Sequence, residues 1–366
     1  MRSVPRAAAA LAALLAAAAA AAAPARAQQP AARPEAGVVR GTVRGLDGEP
    51  VPYAVVALLP GYDQRFTDDS GAFLFQRVVP GTYRLLARQV GFRPSDTTVV
   101  VAAGTTSDVP MTLEHLTVQL EAIKVVAMRS CTNPGPPDSV TDPALARLFG
   151  ELDQNAQRSR LLAASYPFRF RMQRVFTYYN GQGEAVATVT DTEALLSTGT
   201  PAYQPGQVVT FGRGPGNTRK LVLTLPTLSD FADSSFQASH CFGYEGVVED
   251  SGVRVVRFAF RPAESIRTPD IEGHVDLDTA TYEVRRAMVR LTHPGRALEG
   301  LASATSTISF AELYANVLVQ SRVYSESVPD IQIGVQNQIM RYVQDQRLLS
   351  VEFLRPLPGA PSAAHP

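Results

Sequence analysis

Between residues 37 and about 118 the chain is a series of short β-branched runs cut by turn-forming residues, and this punctuation restricts the region to an all-β arrangement of sandwich type. The runs are residues 38–44, 54–59, 73–75, 83–90 and 97–101. Between them lie Asp47-Gly48, Asp68-Asp69-Ser70-Gly71, Pro80-Gly81, Gly91 and Ala103-Gly104, each with a residue that takes a positive φ or carries a fixed one. Strands joined by such turns require no catalytic group.

The quality of these turns carries a resemblance. Gly41-Thr42-Val43, the stretch Asp47-Gly48-Glu49-Pro50-Val51-Pro52-Tyr53-Ala54-Val55-Val56, Thr67-Asp68, Gly71-Ala72-Phe73, Pro80-Gly81-Thr82-Tyr83 and Gly91-Phe92 resemble the carboxypeptidase regulatory-like family. The resemblance implies a transthyretin-like β-sandwich of about seven strands over residues 37–118. Phe73 and Tyr83 can fill its core, and Gly71 and Gly81 permit the turns. It implies a fold and no activity. In that family the domain stands behind zinc carboxypeptidases, before TonB-dependent receptors, or in other secreted proteins. None of His115, His240, His274, His293 or His365 opens an H-x-x-E or H-E-x-x-H pattern, so the peptidase ligand set is missing. The stretch 120–127 resembles the segment that meets a TonB-like partner at the outer membrane, with Leu120, Ile123, Val125 and Val126 as a candidate partner strand. Apolar alternation alone specifies only a strand leaving the sandwich. About 240 residues follow, too few for a plug and a 22-stranded barrel at about 10 residues per strand plus loops, and the C-terminus lacks the aromatic strand typical of such barrels.

The first 27 residues set the compartment. Arg2 and Arg6 precede an Ala/Leu tract over residues 7–23, followed by Pro24 and Ala25-Arg26-Ala27, the order of a secretory signal peptide cleaved after Ala27. The tract falls short of the roughly 20 strongly apolar residues of a spanning helix. The mature protein is expected in the periplasm or at the outer envelope surface, with no transmembrane helix. Export also places Cys131 and Cys241 where a pair commonly becomes a disulfide. Such a bond would close a loop of about 110 residues and contribute roughly 4–5 kcal/mol at most; two separate buried thiols are the alternative. With 34 basic and 34 acidic residues, the chain offers no broad positive field for nucleic acid.

Residues 119–141 read as a linker, stiffened by Asn133-Pro134-Gly135-Pro136-Pro137-Asp138, and residues 142–355 as a second domain. Asp142 can cap a helix that Pro143 opens, and Leu145, Leu148, Phe149 and Leu152 form one apolar stripe continuing toward Leu162. Pro167 ends it. On the strand that follows, Phe168, Phe170, Met172, Phe176 and Tyr178 share one face. Core is the ordinary fate of such a face, and the wall of an apolar cavity is the alternative. Further strands are predicted at 185–190, 220–225, 253–260, 274–277, 282–291, 305–313 and 317–324, with a hairpin turning at Asp278-Thr279-Ala280-Thr281. Residues 331–354 mix helix and strand periods, and residues 356–366 read as a disordered tail.

Ser239-His240-Cys241-Phe242, together with residues 258–262, 270–273 and 277–282, resembles the C-terminal region of uncharacterised exported proteins. One helix followed by successive antiparallel strands with a Leu-Asp-x-x-Thr hairpin is similar to the lipoprotein-carrier half-barrel, whose concave side holds acyl chains. The expected fold class is thus mainly β: the sandwich, then an α+β antiparallel half-barrel-like domain with one amphipathic helix. The implied ligand is a lipid or other apolar molecule.

Several chemistries are disfavoured. His274, Asp276 and Asp278 share a strand face and could meet a metal, but an exposed polar face explains them as well. His240 and Cys241 are neighbours on a strand and point apart. Gly212-Arg213-Gly214-Pro215-Gly216 lacks the Lys-Ser/Thr of a phosphate loop, and no G-x-S-x-G occurs. Glu264, Asp270 and Glu272 could form an acid–base pair only if they converge. No cofactor and no metal are expected. The expectation is an exported, non-enzymatic binding or accessory protein of the bacterial envelope. The alternatives are an accessory of TonB-dependent uptake, an enzyme of unrecognised type, or a carbohydrate-binding protein, which without tryptophan would have to stack sugars on Tyr or Phe.

Overall fold

The computed structural model describes residues 35–359 except 63, 119, 121–122, 124–127, 129, 200–202, 214–218, 251 and 330–340. The expected signal peptide with Ala27, the candidate partner-strand residues Val125 and Val126, and the chain beyond residue 359 lie outside the described residues.

The front domain is a two-sheet sandwich. One sheet joins β1 (Gly37–Gly45), β4 (Ala72–Val78), β9 (Met111–His115) and β6 (Phe92–Arg93) in the order β4-β1-β9-β6, with β8 (Thr106–Asp108) also on β1. The other runs β3-β2-β5-β7, from β2 (Val55–Leu59), β3 (Arg65–Phe66), β5 (Gly81–Arg88) and β7 (Ser95–Val101). Strand alternation sends Val39, Val43, Leu58, Phe73, Phe75, Leu85 and Leu113 into one core between the sheets. Tyr83, expected in that core, is only partly buried against it and donates its hydroxyl to the Val79 carbonyl at 2.7 Å.

In the second domain, α1 (Pro143–Ser165) starts where Asp142 accepts the Leu145 N–H at 3.0 Å. Its stripe buries Leu148, Phe149, Leu152, Ala156 and Leu162. The helix lies on a nine-stranded antiparallel sheet of β10 (Phe168–Tyr179), β11 (Ala185–Leu196), β14 (His240–Asp250), β15 (Val253–Pro262), β16 (Ile271–Asp278), β17 (Val284–Leu291), β18 (Leu301–Tyr314), β19 (Val317–Pro329) and β20 (Arg341–Phe353). Their order is β11-β10-β20-β19-β18-β17-β16-β15-β14. A separate hairpin pairs β12 (Val209–Arg213) with β13 (Arg219–Leu223), and α2 (Ser234–Ser239) and α3 (Pro294–Ala297) are short. Phe258, Phe260, Val275, Leu277 and Val289 pack beneath α1 together with Phe231 and Phe236.

Two expected boundaries are corrected by burial. The stretch read as a linker is docked where it is described near its start: Ile123 is buried in the core of the second domain and Leu120 packs against it, next to the buried Val118 that precedes the stretch. Leu120 and Ile123 therefore do not form a free partner strand, because their apolar side chains are already covered. The stretch read as a disordered tail is docked as far as it is described. Leu357 is buried in a cluster with Tyr53, Val55 and Phe66 of the sandwich, Leu162 of α1 and Val317 of β19.

That cluster joins the domains, and polar contacts extend the junction. Gly91 has φ 77°, and a Cβ there would stand 2.6 Å from the Thr281 carbonyl oxygen, so only glycine allows the sandwich this close. Its N–H donates to Glu151 Oε2 at 2.8 Å. Arg158 of α1 reaches the Gln89 side chain and the Asn316 carbonyl, and Asn316 donates Nδ2 to the Pro52 carbonyl at 3.0 Å.

Burial pushes Glu151 from its ordinary 4.5 up to about 7, with the Gly91 N–H acting the other way. Between those values the folded state holds more protons than the unfolded state. The stabilisation from this protonated group is therefore complete below about pH 4.5 and lost as pH rises through about 7. Glu151→Gln keeps an oxygen for the Gly91 N–H and removes the titration. At pH 8 the variant is expected to be more stable than the parent, by up to about 3 kcal/mol. Its urea midpoint should also vary less between pH 5 and 8; equal pH slopes in both proteins would assign the slope to another group.

Candidate functional site

The last turns of α1 do not sit flush on the sheet. A cavity of about 470 Å³ lies between Ser159, Arg160, Leu162 and Ala163 of the helix and the strand residues Phe168, Phe170, Phe310, Leu318, Val319, Leu348 and Val351. Thr227, Leu228, Ser229, Asp230 and Asp233 close one side. The wall is aromatic and aliphatic, and the hydroxyl, carboxylate and guanidinium groups add polar contacts around it.

Local rules place these groups. Because α1 ends at Ser165 and β10 begins at Phe168, the start of the strand is tied beneath the last helical turn. Phe168 and Phe170 stand two apart on one strand face, with ring centroids 6.0 Å apart, and Phe353 of β20 packs on Phe168 at 5.3 Å. The side formed by residues 227–233 is held through Asp230, which accepts the Thr227 N–H at 2.7 Å and the Thr227 hydroxyl at 2.8 Å. Arg160 donates to the Ser229 carbonyl at 3.1 Å and stands 3.7 Å from Asp233. The hydrogen bond from the Ser235 hydroxyl holds Asp233 below the usual carboxylate range, with Arg160 assisting against a burial effect that opposes it. This part of the cavity wall thus sets the Arg160 guanidinium against the Asp233 carboxylate, with Asp230 beside them.

Of the five expected wall residues, the structure brings Phe168 and Phe170 to the cavity and not the other three. Met172 is fully buried, and Phe176 and Tyr178 pack on Tyr342 with centroids 6.1 and 5.1 Å away. They share the sheet face but lie farther along the strand from the end of the helix. The contributions of Ala163 and of residues 227–233 were not foreseen, since nothing local marks them.

The other candidates are occupied. Cys131 and Cys241 are bonded to each other. His240 is fully buried, with Nδ1 2.9 Å from the Phe236 carbonyl and Nε2 3.2 Å from that of Ile271. Asp276 is buried between Arg257 at 2.9 Å and Arg286 at 3.0 Å. Burial would raise its pKa, but these guanidiniums and His274 hold it below the usual range. Burial pushes His274 down to about 4, so it is neutral at pH 7. Asp278 accepts the Ala280 and Thr281 N–H groups in the hairpin turn and pairs with Arg285. Among the described residues no group of three or more His, Cys, Asp or Glu is arranged to hold a metal. Asp270 is fully buried and accepts the Tyr203 hydroxyl at 2.8 Å, whereas Glu272 binds Arg261 at 2.9 Å, so the two carboxylates serve separate partners. No helix among the described residues is long and apolar enough to cross a membrane.

Residues 38–114 match the carboxypeptidase regulatory-like domain family. No curated protein matches the chain. Among solved structures, the chain is similar to the minor pilin of Streptococcus agalactiae, with 18% identity and a TM-score of 0.21 over 26% of this chain and 49% of that one. It is also similar to a LolA superfamily protein from Nitrosomonas europaea, with 10% identity and a TM-score of 0.31 over 57% of this chain and 94% of that one. A DUF1329 family protein from Desulfovibrio piger matches with 11% identity and a TM-score of 0.30 over the same shares. The chain spans about half the length of the pilin it matches.

Proposed function

We propose that this chain is an exported, non-enzymatic binding protein of the bacterial envelope whose second domain holds an apolar ligand with the girth of an acyl chain. The observation that carries the reading is the cavity of about 470 Å³ beside Phe170, within the roughly 300–1,000 Å³ of small-molecule sites. Leu162, Phe168, Phe170, Phe310, Leu348 and Val351 supply surface that gains by contact with hydrocarbon, at about 0.8 kcal/mol for each methylene removed from water. Arg160, Ser229 and Thr227 suit the polar end of an amphiphile. Export is supported by the leader-like residues 1–27 and by the disulfide, a bond that persists in oxidising compartments. The sandwich acts as an accessory module docked against α1.

The test is native mass spectrometry of the exported protein before and after extraction with organic solvent. The expected result is a population heavier than the bare chain that disappears on extraction, with a single-chain lipid in the extract. A protein that leaves the cell bare, and stays bare when purified lipid is supplied, would contradict the reading.

A further inference from the structure

On the opposite face of the large sheet from α1, charged side chains form ladders across the strands. Across β14 to β17 one ladder balances: Asp250, Arg286, Asp276 and Arg257 follow one another with two acids and two bases. At one end the balance fails. A groove of about 550 Å³ is lined by Arg261, Arg267, Arg290 and Arg296 against two carboxylates, Glu264 and Glu272. Four guanidiniums against two carboxylates leave a surplus of two positive charges.

The arginines differ in what already holds them. Arg261 and Arg290 both pair with the one carboxylate of Glu272. Arg267 lies in the loop between β15 and β16 and Arg296 in the short helix α3, and neither has an ion pair among the described residues. Arg296 donates to the Arg267 carbonyl at 2.8 Å, which ties α3 to the loop before β16. Guanidinium groups present planar forks of donors that match the paired oxygens of a phosphate. The groove is also larger than an inorganic ion requires, so it leaves room for the group that carries the phosphate.

We propose that this groove is a second binding site, separate from the apolar cavity, that takes a phosphate-bearing anion through Arg267 and Arg296, with Arg290 lining the same groove. The same chemistry is offered by a soluble phosphoryl compound and by the headgroup of an anionic lipid. Because the arginines are substantially exposed, binding should weaken as salt is raised.

The experiment uses the full exported protein in low salt. Inorganic pyrophosphate is titrated in by calorimetry, and vesicles of phosphatidylglycerol or of phosphatidylcholine are tested by co-sedimentation. The R267A/R296A double variant is compared with R347A, which removes an exposed arginine far from the groove, and circular dichroism checks that both are folded. Saturable pyrophosphate binding at one site, weakened at least tenfold in the double variant and unchanged in R347A, supports the proposal with a soluble ligand. Retention on phosphatidylglycerol vesicles alone, lost in the double variant, supports it with a headgroup. If neither probe binds, or if R347A weakens binding as much as the double variant, the proposal is overturned. Should the double variant fail to fold, Arg267→Glu alone must give the same loss.

Discussion

Replacing Cys131 with serine is expected to lower the stability of the protein by about 4 kcal/mol. The bond to Cys241 closes 110 residues, and loop entropy gives about 4.7 kcal/mol for a loop of about 100. It also fastens a long stretch of chain to a sheet edge. The Glu264 N–H donates to the Cys131 carbonyl at 2.9 Å and the Gly135 N–H to the His240 carbonyl at 2.9 Å, so the stretch before α1 runs beside β14 and β15. Without the cross-link, the stretch depends on non-covalent contacts such as those two hydrogen bonds and the burial of Val118 and Ile123. Urea denaturation of the variant, and of the parent with a reductant, measures the effect. Both should lose the same few kcal/mol; a loss below about 1 kcal/mol would mean that the non-covalent contacts suffice.

The second large effect concerns ligand binding. Ala163 lines the cavity from the last full turn of α1, whereas Ala164 beside it is exposed. Ala163→Phe should place a ring in the space of about three methylenes of a bound chain. At about 0.8 kcal/mol each, affinity for a long-chain fatty acid falls about fiftyfold. The fold should hold, since the ring enters space that is already there. Ala164→Phe should bind like the parent. Fluorescence displacement with a fatty acid probe compares the three proteins, and equal loss in both variants would place the ligand elsewhere.

What the sequence reveals and hides follows from how each element makes its signal. The cap at Asp142, the stripe from Leu145 and the hairpin turn at Asp278 are local, and each was legible. Strands β3 and β6 are two residues long and leave no period to read. Strand β20 is central in the sheet, yet residues 331–354 showed no clear pattern. On one face it carries Tyr342, Gln344 and Gln346 before Leu348, and on the other Val343, Asp345 and Arg347, so polarity does not alternate. A register shift between Leu348 and Ser350 then changes the phase. Residues 119–141 read as a linker because the prolines and glycine of 133–138 mark a break and the short apolar pieces before them look alike whether docked or free; only the partner surface of the second domain decides. The cavity was half legible for the same reason. Phe168 and Phe170 announce an apolar strand face, but where along that face a helix leaves a gap depends on chain connection.

The most direct test of an apolar site is a chain-length series. Saturated fatty acids from eight to sixteen carbons are titrated into the delipidated protein by calorimetry at fixed pH and salt. Affinity is expected to rise about fourfold per added methylene, at about 0.8 kcal/mol each, and to level off once the cavity is full. The rise should vanish in Ala163→Phe at a shorter chain. An affinity that does not change with chain length would contradict burial of hydrocarbon beside Phe170.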